Sequence, residues 1–361
     1  MIDPRPDIDR LKAYTPGTSL QDAAQVLGHE RIVKLASNES LWGPSPRALE
    51  VAKETLSSIQ YYPAMQPQAL VEALAKTHQL SPDTILVGNG ADEILRILAT
   101  AYCDAMTSIV YPSPSFSAYQ HSARLVGATL RSVPLTADGR NDLQAVRDRV
   151  DASTRLIYLC SPNNPTGGSL TRVDWEAFLA AIPRSVLIVV DGAYQEFVAD
   201  QQAPDFLEAV RQGYPVVVVR TFSKLYALAG LRIGWAAAPA DVIVALKKAR
   251  EPFSLNAVGA GAATASLSDP EYFSWVRQET LNARSHFMSL VTRRGIDHFP
   301  SQANFVTIKS PDSDAELTAH RLLEKGFVVR PTTNFGLPGY LRVTMAPINI
   351  LEDFMEVWDQ L

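Results

Sequence analysis

Between about residue 70 and residue 240 the chain alternates between two kinds of apolar pattern. ALVEALAKTHQL (69–80) and EILRILATAYC (93–103) space their apolar residues three and four apart, which predicts helices. TSIVYP (107–112), RLIYLC (155–160), VLIVVD (186–191) and PVVVVRTF (215–222) are short apolar runs, several of them β-branched, which predicts buried strands. Strands interleaved with helices imply parallel pairing, with helices on both faces of the sheet. In such a sheet ligands bind beyond the carboxyl ends of the strands. Four of these strand ends lead into polar or small residues, so one shared site at that edge is expected.

The flanks read differently. Residues 1–45 are loop-rich, and the turn cluster SNESLWGPSP (37–46) leads into the helix-like PRALEVAKETL (46–56). DVIVALKKAREPF (241–253) is helical up to Pro252, which should kink or break it. Further on, NFVTI (304–308), FVVRP (327–331) and YLRVT (340–344) are strand-like, with helical ELTAHRLLEKG (316–326) between the first two. That pattern predicts a small α+β domain. The expected division is a large domain over 46–250 and a small one built from 1–45 and 251–361.

Composition narrows the class. A chain of 361 residues exceeds what one core usually holds, which agrees with two domains. With 47% apolar and 20% charged residues it has the balance of an ordinary soluble enzyme. The net charge is −5 and no charge run occurs, which argues against nucleic acid or a membrane surface as partner. The N-terminal MIDPRPDIDRLKAYTPG has no apolar core for a signal peptide, and no run approaches a membrane span. The expected location is the cytoplasm. Cys103 and Cys160 stand in no metal-ligand spacing, and Cys160 closes the apolar RLIYLC as a small hydrophobe. No metal is expected.

Candidate chemistry concentrates in TFSKLYALAGLRIGW (221–235), directly after the run PVVVV. Ser223 and Arg232 can bind one phosphate, by hydroxyl donor and guanidinium fork, while Lys224 offers an amine able to form an imine. A phosphate grip beside such a lysine is what a pyridoxal-phosphate enzyme needs. Taken alone, the pair is equally a solvated Lys and Arg on a connecting loop. In VDGAYQEF (190–197), Asp191 ends a buried strand and can pair with a protonated pyridine nitrogen, or simply cap a turn. Tyr194 can donate to the ring's phenolate oxygen or sit in a core. Asn164 in the turn cluster SPNNPTGG (161–168) can donate to the same oxygen, although N-P and T-G pairs are ordinary loop chemistry. VGNGADEI (87–94) places free amides at Gly90, Ala91 and Asp92 at a helix start, suited to an anion, but it is neither a dinucleotide fingerprint nor a Walker loop. In YPSPSFSAY (111–119), Phe116 can stack on a flat ring or belong to a core.

Together these segments resemble the fold-type I pyridoxal-phosphate aminotransferases, and most closely the histidinol-phosphate aminotransferase family. The resemblance covers nearly the whole chain. It starts at AYTPG (13–17), KLASNES and GPSP (34–46), YYP (61–63) and GNGADE (88–93). It continues through SPNNPTG, TFSK, LAGLRIGW, VVRP and LRVT in the same order and spacing. It implies the α/β aspartate-aminotransferase-like fold, pyridoxal 5'-phosphate as cofactor and a homodimer with sites at the interface. It also implies ping-pong transfer from an amino donor to a 2-oxo acid, with histidinol phosphate and 2-oxoglutarate as the first choice.

The resemblance further implies that Lys224 carries the cofactor, Asp191 pairs with its pyridine nitrogen, and Asn164 and Tyr194 bind its phenolate oxygen. Ser223, Arg232 and the amides of Ala91 and Asp92 hold the phosphate, Phe116 covers the ring, and Tyr61, or the adjacent Tyr62, reaches the partner's cofactor phosphate. Arg342 in LRVT and Arg330 in VVRP grip the substrate together with Tyr14 and Asn38, since a guanidinium fork suits a carboxylate or a phosphate. Three departures stand out: Gly192 where an acidic residue is usual, Phe116 where Tyr is common, and Trp42 in NESLWGPSP, near the expected substrate pocket. They leave other readings open. One is an aminotransferase for aromatic or other amino acids, with Arg342 on a carboxylate and Trp42 and Phe116 lining an apolar pocket. Others are a threonine-phosphate decarboxylase-like enzyme and a cofactor-binding regulator without turnover.

Overall fold

The apolar runs of the middle segment become the centre of one seven-stranded sheet. The computed structural model describes residues 2, 3, 5, 8, 20–27 and 32–361. In chain order its strands are β1 (Val33–Lys34), β2 (Ile85–Gly88), β3 (Ser108–Ser113), β4 (Thr129–Pro134), β5 (Thr154–Cys160) and β6 (Leu187–Asp191). They continue as β7 (Val216–Thr221), β8 (Gly234–Ala237), β9 (Phe305–Lys309), β10 (Phe327–Val328), β11 (Arg330–Pro331) and β12 (Tyr340–Thr344). The large sheet has the order β2-β8-β7-β6-β5-β3-β4. From β7 to β4 all neighbours are parallel, whereas β8 runs antiparallel to both β7 and β2.

Both faces of this sheet are covered, which is why its strands read as continuous apolar runs. Ile157, Leu159, Ile188, Val190, Val216 and Val218 point into one core. Leu156, Tyr158, Leu187, Val189, Val217 and Val219 point into the other. The helix Ala257–Leu267 joins the first core through Ala262 and Ala263. Its small residues let it lie close on the helix Pro46–Thr55: a Cβ on Gly261 would meet the side chains of Val51 and Thr55 at 3.2 Å.

A second group of strands comes from the chain ends. β9, β12 and β11 form an antiparallel sheet, and β1 pairs in parallel with β10. Leu35 from the N-terminal segment shares a core with Phe287, Phe327, Leu341, Phe354 and Trp358. FVVRP is therefore two strands and not the one its apolar pattern predicts: Phe327–Val328 and Arg330–Pro331 belong to different sheets. The strands β2, β4 and β8 were also illegible. β2 and β8 are four residues each, and β4 is an edge strand with mostly exposed or half-buried side chains. The helix from Ala240 ends at Ala249, ahead of Pro252.

One close approach fastens the sheet to the helix Gly90–Tyr102. A Cβ on Gly234 in β8 would lie 2.6 Å from the carbonyl carbon of Gly90 and 2.7 Å from the nitrogen of Ala91. Gly234→Ala should therefore lower stability to urea by about 1–3 kcal/mol through overpacking. Gly230→Ala, with nothing within 4 Å of its added carbon, should leave the urea midpoint unchanged or slightly raised. Equal midpoints for the two variants would contradict the close approach.

Candidate active site

The carboxyl ends of β3, β5, β6 and β7 open into a cavity of about 390 Å³, a size typical of small-molecule sites. Lys224, three residues beyond β7, reaches into it and donates from Nζ to the Ser37 carbonyl at 3.0 Å. Desolvation, and then the positive charge of Arg342, hold its ammonium well below the usual lysine range, at about 8. About a tenth of the amine is then neutral at pH 7, and hence nucleophilic and basic, far more than for an ordinary lysine.

Asp191 ends β6 and is 3% exposed. Its carboxylate accepts from the Tyr119 hydroxyl at 2.7 Å and from the Ala193 amide at 3.1 Å. Burial nonetheless raises its pKa to about 6, since these two donors offset only part of the lost hydration. No ion pair reaches it among the described residues. Sequence reasoning missed Tyr119, although it closes the quoted segment YPSPSFSAY. A tyrosine one helical turn after Phe116 carries no signal until the fold shows its hydroxyl meeting Asp191.

The same cavity is lined by a group of donors suited to an anion. The helix Gly90–Tyr102 starts at Asn89, whose side chain makes no cap, so its first amides are left to a ligand. Arg232, with φ of 52°, donates to the Ser223 hydroxyl at 3.5 Å and to Asp92 at 3.3 Å. Gly90, at φ of 78°, admits this guanidinium: a Cβ there would lie 2.7 Å from Arg232 Nη2. Thr221, which the sequence did not single out, also lines the cavity and donates to Ser223 Oγ at 3.0 Å.

The remaining wall combines both sheets. Arg330 and Arg342 face each other directly across β11 and β12, and both guanidiniums lie over the Phe335 ring, at 5.6 and 5.2 Å. Arg342 donates to the Asn164 side-chain oxygen and, at 2.7 Å, to the Ala36 carbonyl. That fixes Asn164 with its NH2 group as the part left for a ligand. Asn38, at φ of 55°, donates from Nδ2 to the Tyr194 hydroxyl at 3.0 Å, so the phenol proton is free to point elsewhere. Burial keeps that phenol un-ionised. Phe116 lines the cavity and meets Tyr119 edge-on at 5.9 Å.

The structure thus brings together Ala91, Asp92, Phe116, Asn164, Asp191, Tyr194, Ser223, Lys224, Arg232, Asn38, Arg330 and Arg342. Tyr61 does not enter the cavity of its own chain; it is 72% exposed. Tyr62 stacks on Phe253 at 4.7 Å. Tyr14 lies outside the described residues. Trp42, expected near the substrate pocket, does not line the cavity itself; it packs against the small core and against the cluster that includes Tyr194, and its carbonyl accepts from Tyr272 at 2.9 Å. Gly192 leaves room for Arg220, whose Nε would lie 3.3 Å from a Cβ there. Among the described residues no His, Cys, Asp or Glu group is placed to hold a metal ion, and no helix is long and apolar enough to cross a membrane.

A sheet of this topology with a lysine, a buried carboxylate and an anion cradle at its carboxyl edge is an aspartate-aminotransferase-like structure. Residues 30–352 match the family model for aminotransferase class I and II. A histidinol-phosphate aminotransferase of Symbiobacterium thermophilum is 40% identical over 342 residues, covering 94% of this chain and 93% of that protein. One of Bacillus subtilis is 34% identical and covers 97% of each. Among solved structures, the histidinol-phosphate aminotransferase of Sinorhizobium meliloti in complex with pyridoxal-5'-phosphate superposes with a TM-score of 0.87 at 27% identity, covering 99% of this chain and 97% of that one. The aspartate aminotransferase of Thermus thermophilus with maleate shares the fold, with a TM-score of 0.86 at 22% identity and full coverage of both chains. The chain belongs to the aminotransferase class I and II family and, within it, to the histidinol-phosphate aminotransferase family.

The depressed lysine pKa is directly measurable. With limiting acetic anhydride on the cofactor-free protein, acetylation of Lys224 should rise with pH and level off around a midpoint of about 8, read by peptide mass spectrometry. Arg342→Met removes a charge that disfavours the ammonium and should move the midpoint upward. A wild-type midpoint at the ordinary lysine value would refute the desolvation argument.

Proposed function

We propose that this chain is a pyridoxal-phosphate-dependent aminotransferase that takes its amino group from histidinol phosphate and passes it to 2-oxoglutarate. The observation that carries the substrate assignment is the Arg330–Arg342 pair. Like charges directly opposite each other in an antiparallel ladder repel, and here they also flank one aromatic ring at the cavity wall. A dianionic phosphate relieves that repulsion better than a single carboxylate does. The names of the relatives support the same choice.

The residues fit the cofactor. Asp191 is a buried carboxylate with no ion pair among the described residues, suited to a protonated pyridine nitrogen, and the uncapped helix start beside Ser223 and Arg232 suits a phosphate. Asn164 and Tyr194 present donors for the phenolate oxygen, Phe116 presents a ring face, and Lys224 presents the amine that attaches it. Bound pyridoxal phosphate supplies a cationic ring that draws electrons from the substrate carbon. Lys224 Nζ, oriented by the Ser37 carbonyl, removes the proton from the donor's Cα. Arg330 and Arg342 orient the donor by its phosphate, and Phe116 and Phe335 exclude water from the reacting side.

We also infer a homodimer. Leu49, Leu56, Ile59, Tyr61, Tyr62, Met65 and Phe253 are all exposed, seven apolar side chains of which six fall within residues 49–65 and Tyr62 and Met65 meet Phe253, a concentration that marks an interaction surface. On this reading Tyr61 reaches the partner's cofactor phosphate. The large unit then carries the seven-stranded sheet and the helix Ala257–Leu267, so its end falls beyond residue 250.

Histidinol phosphate should exceed free histidinol, phenylalanine and tyrosine in kcat/KM. Arg330→Ala should lower kcat/KM for histidinol phosphate roughly tenfold to over a hundredfold, the worth of a charge-assisted hydrogen bond, and affect 2-oxoglutarate much less. If a free aromatic amino acid wins by about tenfold, equal to ~1.4 kcal/mol of transition-state preference, the aromatic-aminotransferase reading replaces this one.

For the dimer, mixing Lys224→Ala chains with Tyr61→Ala chains, each impaired alone, should restore part of the activity through hybrid sites. Full activity of a monomer at high dilution, followed by light scattering and assay together, would rule the shared site out.

A further inference from the structure

Arg284 is buried, yet no carboxylate pairs with it among the described residues. Its Nη1 donates to the carbonyls of Phe197 and Ala303, at 3.0 and 2.9 Å, and its Nη2 donates to the Gln302 side chain at 3.4 Å. Burial, and then neighbouring Arg277, lower its pKa to about 10. A buried charge without a counterion is expensive, so a position that keeps one calls for an explanation.

The partners supply it. Arg277, two helical turns earlier on the same helix (Pro270–Arg293), donates to the carbonyls of Glu196 and Val198, at 2.6 and 2.7 Å. Three consecutive carbonyls, 196 to 198, are therefore held by one helix, immediately after Tyr194. Arg220 of β7, four residues before Lys224, holds the Glu196 side chain at 3.2 Å from the other side. Gln302 continues the chain of contacts: its side-chain oxygen accepts from the Ala199 amide at 3.0 Å, and its backbone N–H donates to the Gly167 carbonyl at 2.8 Å. Gly167 sits in the turn that carries Asn164, and packs so tightly on Ser301 that a Cβ there would lie 2.2 Å from Ser301 Oγ. The helix thus meets both segments that present donors to the cavity, the Tyr194 turn directly and the Asn164 turn through Gln302.

We propose that Arg277 and Arg284 are positioning residues that set the spacing between the Tyr194 hydroxyl and the Asn164 amide, the two donors aimed at one cofactor oxygen. This rests on the cofactor reading above. Donors to that oxygen favour its anionic form, so misplacing them raises the pH at which the bound cofactor's visible absorption changes.

The test uses the holoenzyme of Arg277→Met, Arg284→Met and Gln302→Ala, compared with Tyr194→Phe. Each variant is expected to raise the pH midpoint of the visible absorption change by about half a unit or more, with pyridoxal-phosphate affinity falling alongside. Arg277→Met combined with Tyr194→Phe should add little to Tyr194→Phe alone, because both act through the same hydroxyl. If Arg284→Met does not fold, Arg277→Met and Gln302→Ala, at half-buried positions, carry the test. Variants that lose thermal stability but keep the wild-type midpoint, while Tyr194→Phe shifts it, would overturn the proposal. A flat response to Tyr194→Phe itself counts against the cofactor role of Tyr194. The positioning claim is then decided by the fluorine resonance of 3-fluorotyrosine at position 194 in the full chain. That resonance moves in both arginine variants if they position the ring, and stays unchanged if they do not.

Discussion

The site is organised around a carboxylate that the fold keeps dry. Asp191 ionises in the folded chain only near pH 6, against an ordinary value of 3.8, because burial outweighs its hydrogen bonds to Tyr119 and Ala193. Its folded pKa is raised, so the folded state holds the proton longer than the unfolded chain does. The resulting loss of stability grows between about 3.8 and 6 and is fully present above that. It amounts to about 3 kcal/mol at neutral pH, taking ~1.4 kcal/mol per pH unit. A cation bound against Asp191 would offset that cost, which is the physical basis of the proposed pairing with a protonated pyridine nitrogen.

Around this carboxylate, one short stretch of the N-terminal segment touches most of the working groups. The Ala36 carbonyl accepts from Arg342, the Ser37 carbonyl accepts from Lys224, and the Asn38 side chain donates to Tyr194. Asn38 is itself held by Thr344 and Asn304. The left-handed backbone at Asn38 turns successive groups toward different partners, a conformation that asparagine tolerates better than most residues. A segment that looks like plain loop is therefore the seam between the small sheet, which carries Arg330 and Arg342, and the large sheet, beyond whose strand ends lie Asp191 and Lys224.

The departures from the family pattern sort by location. Trp42 does not line the cavity; it packs against both the small core and the cluster that contains the cavity residue Tyr194, and its carbonyl accepts from Tyr272. Phe116 remains on the cavity wall, and its missing hydroxyl makes that wall more apolar. Gly192 places no side chain beside Arg220, which turns instead to Glu196. That ion pair lies on the turn following Tyr194.

Much was legible in the sequence for a physical reason. Strands buried on both faces must be apolar throughout, so 155–160, 186–191 and 216–219 showed themselves, and the polar residues just past them marked the site edge. Lys224, Asp191, Asn164, Ser223 and Arg232 could be named because strand ends in a parallel sheet converge. What stayed hidden depended on contacts between distant segments. Tyr119 became part of the site only through its hydroxyl bond to Asp191, 72 residues away. FVVRP divided between two sheets because its pairing partners, β1 and β12, lie at opposite ends of the chain. The arginines of the long helix found carbonyls rather than carboxylates, which no local pattern records. Local periodicity and strand-end chemistry follow from neighbours along the chain and were determined by the sequence alone. The juxtaposition of two arginines, the desolvation of one aspartate and the bracing of two donors arise from residues that meet only in the folded molecule, and the tertiary structure alone decided them.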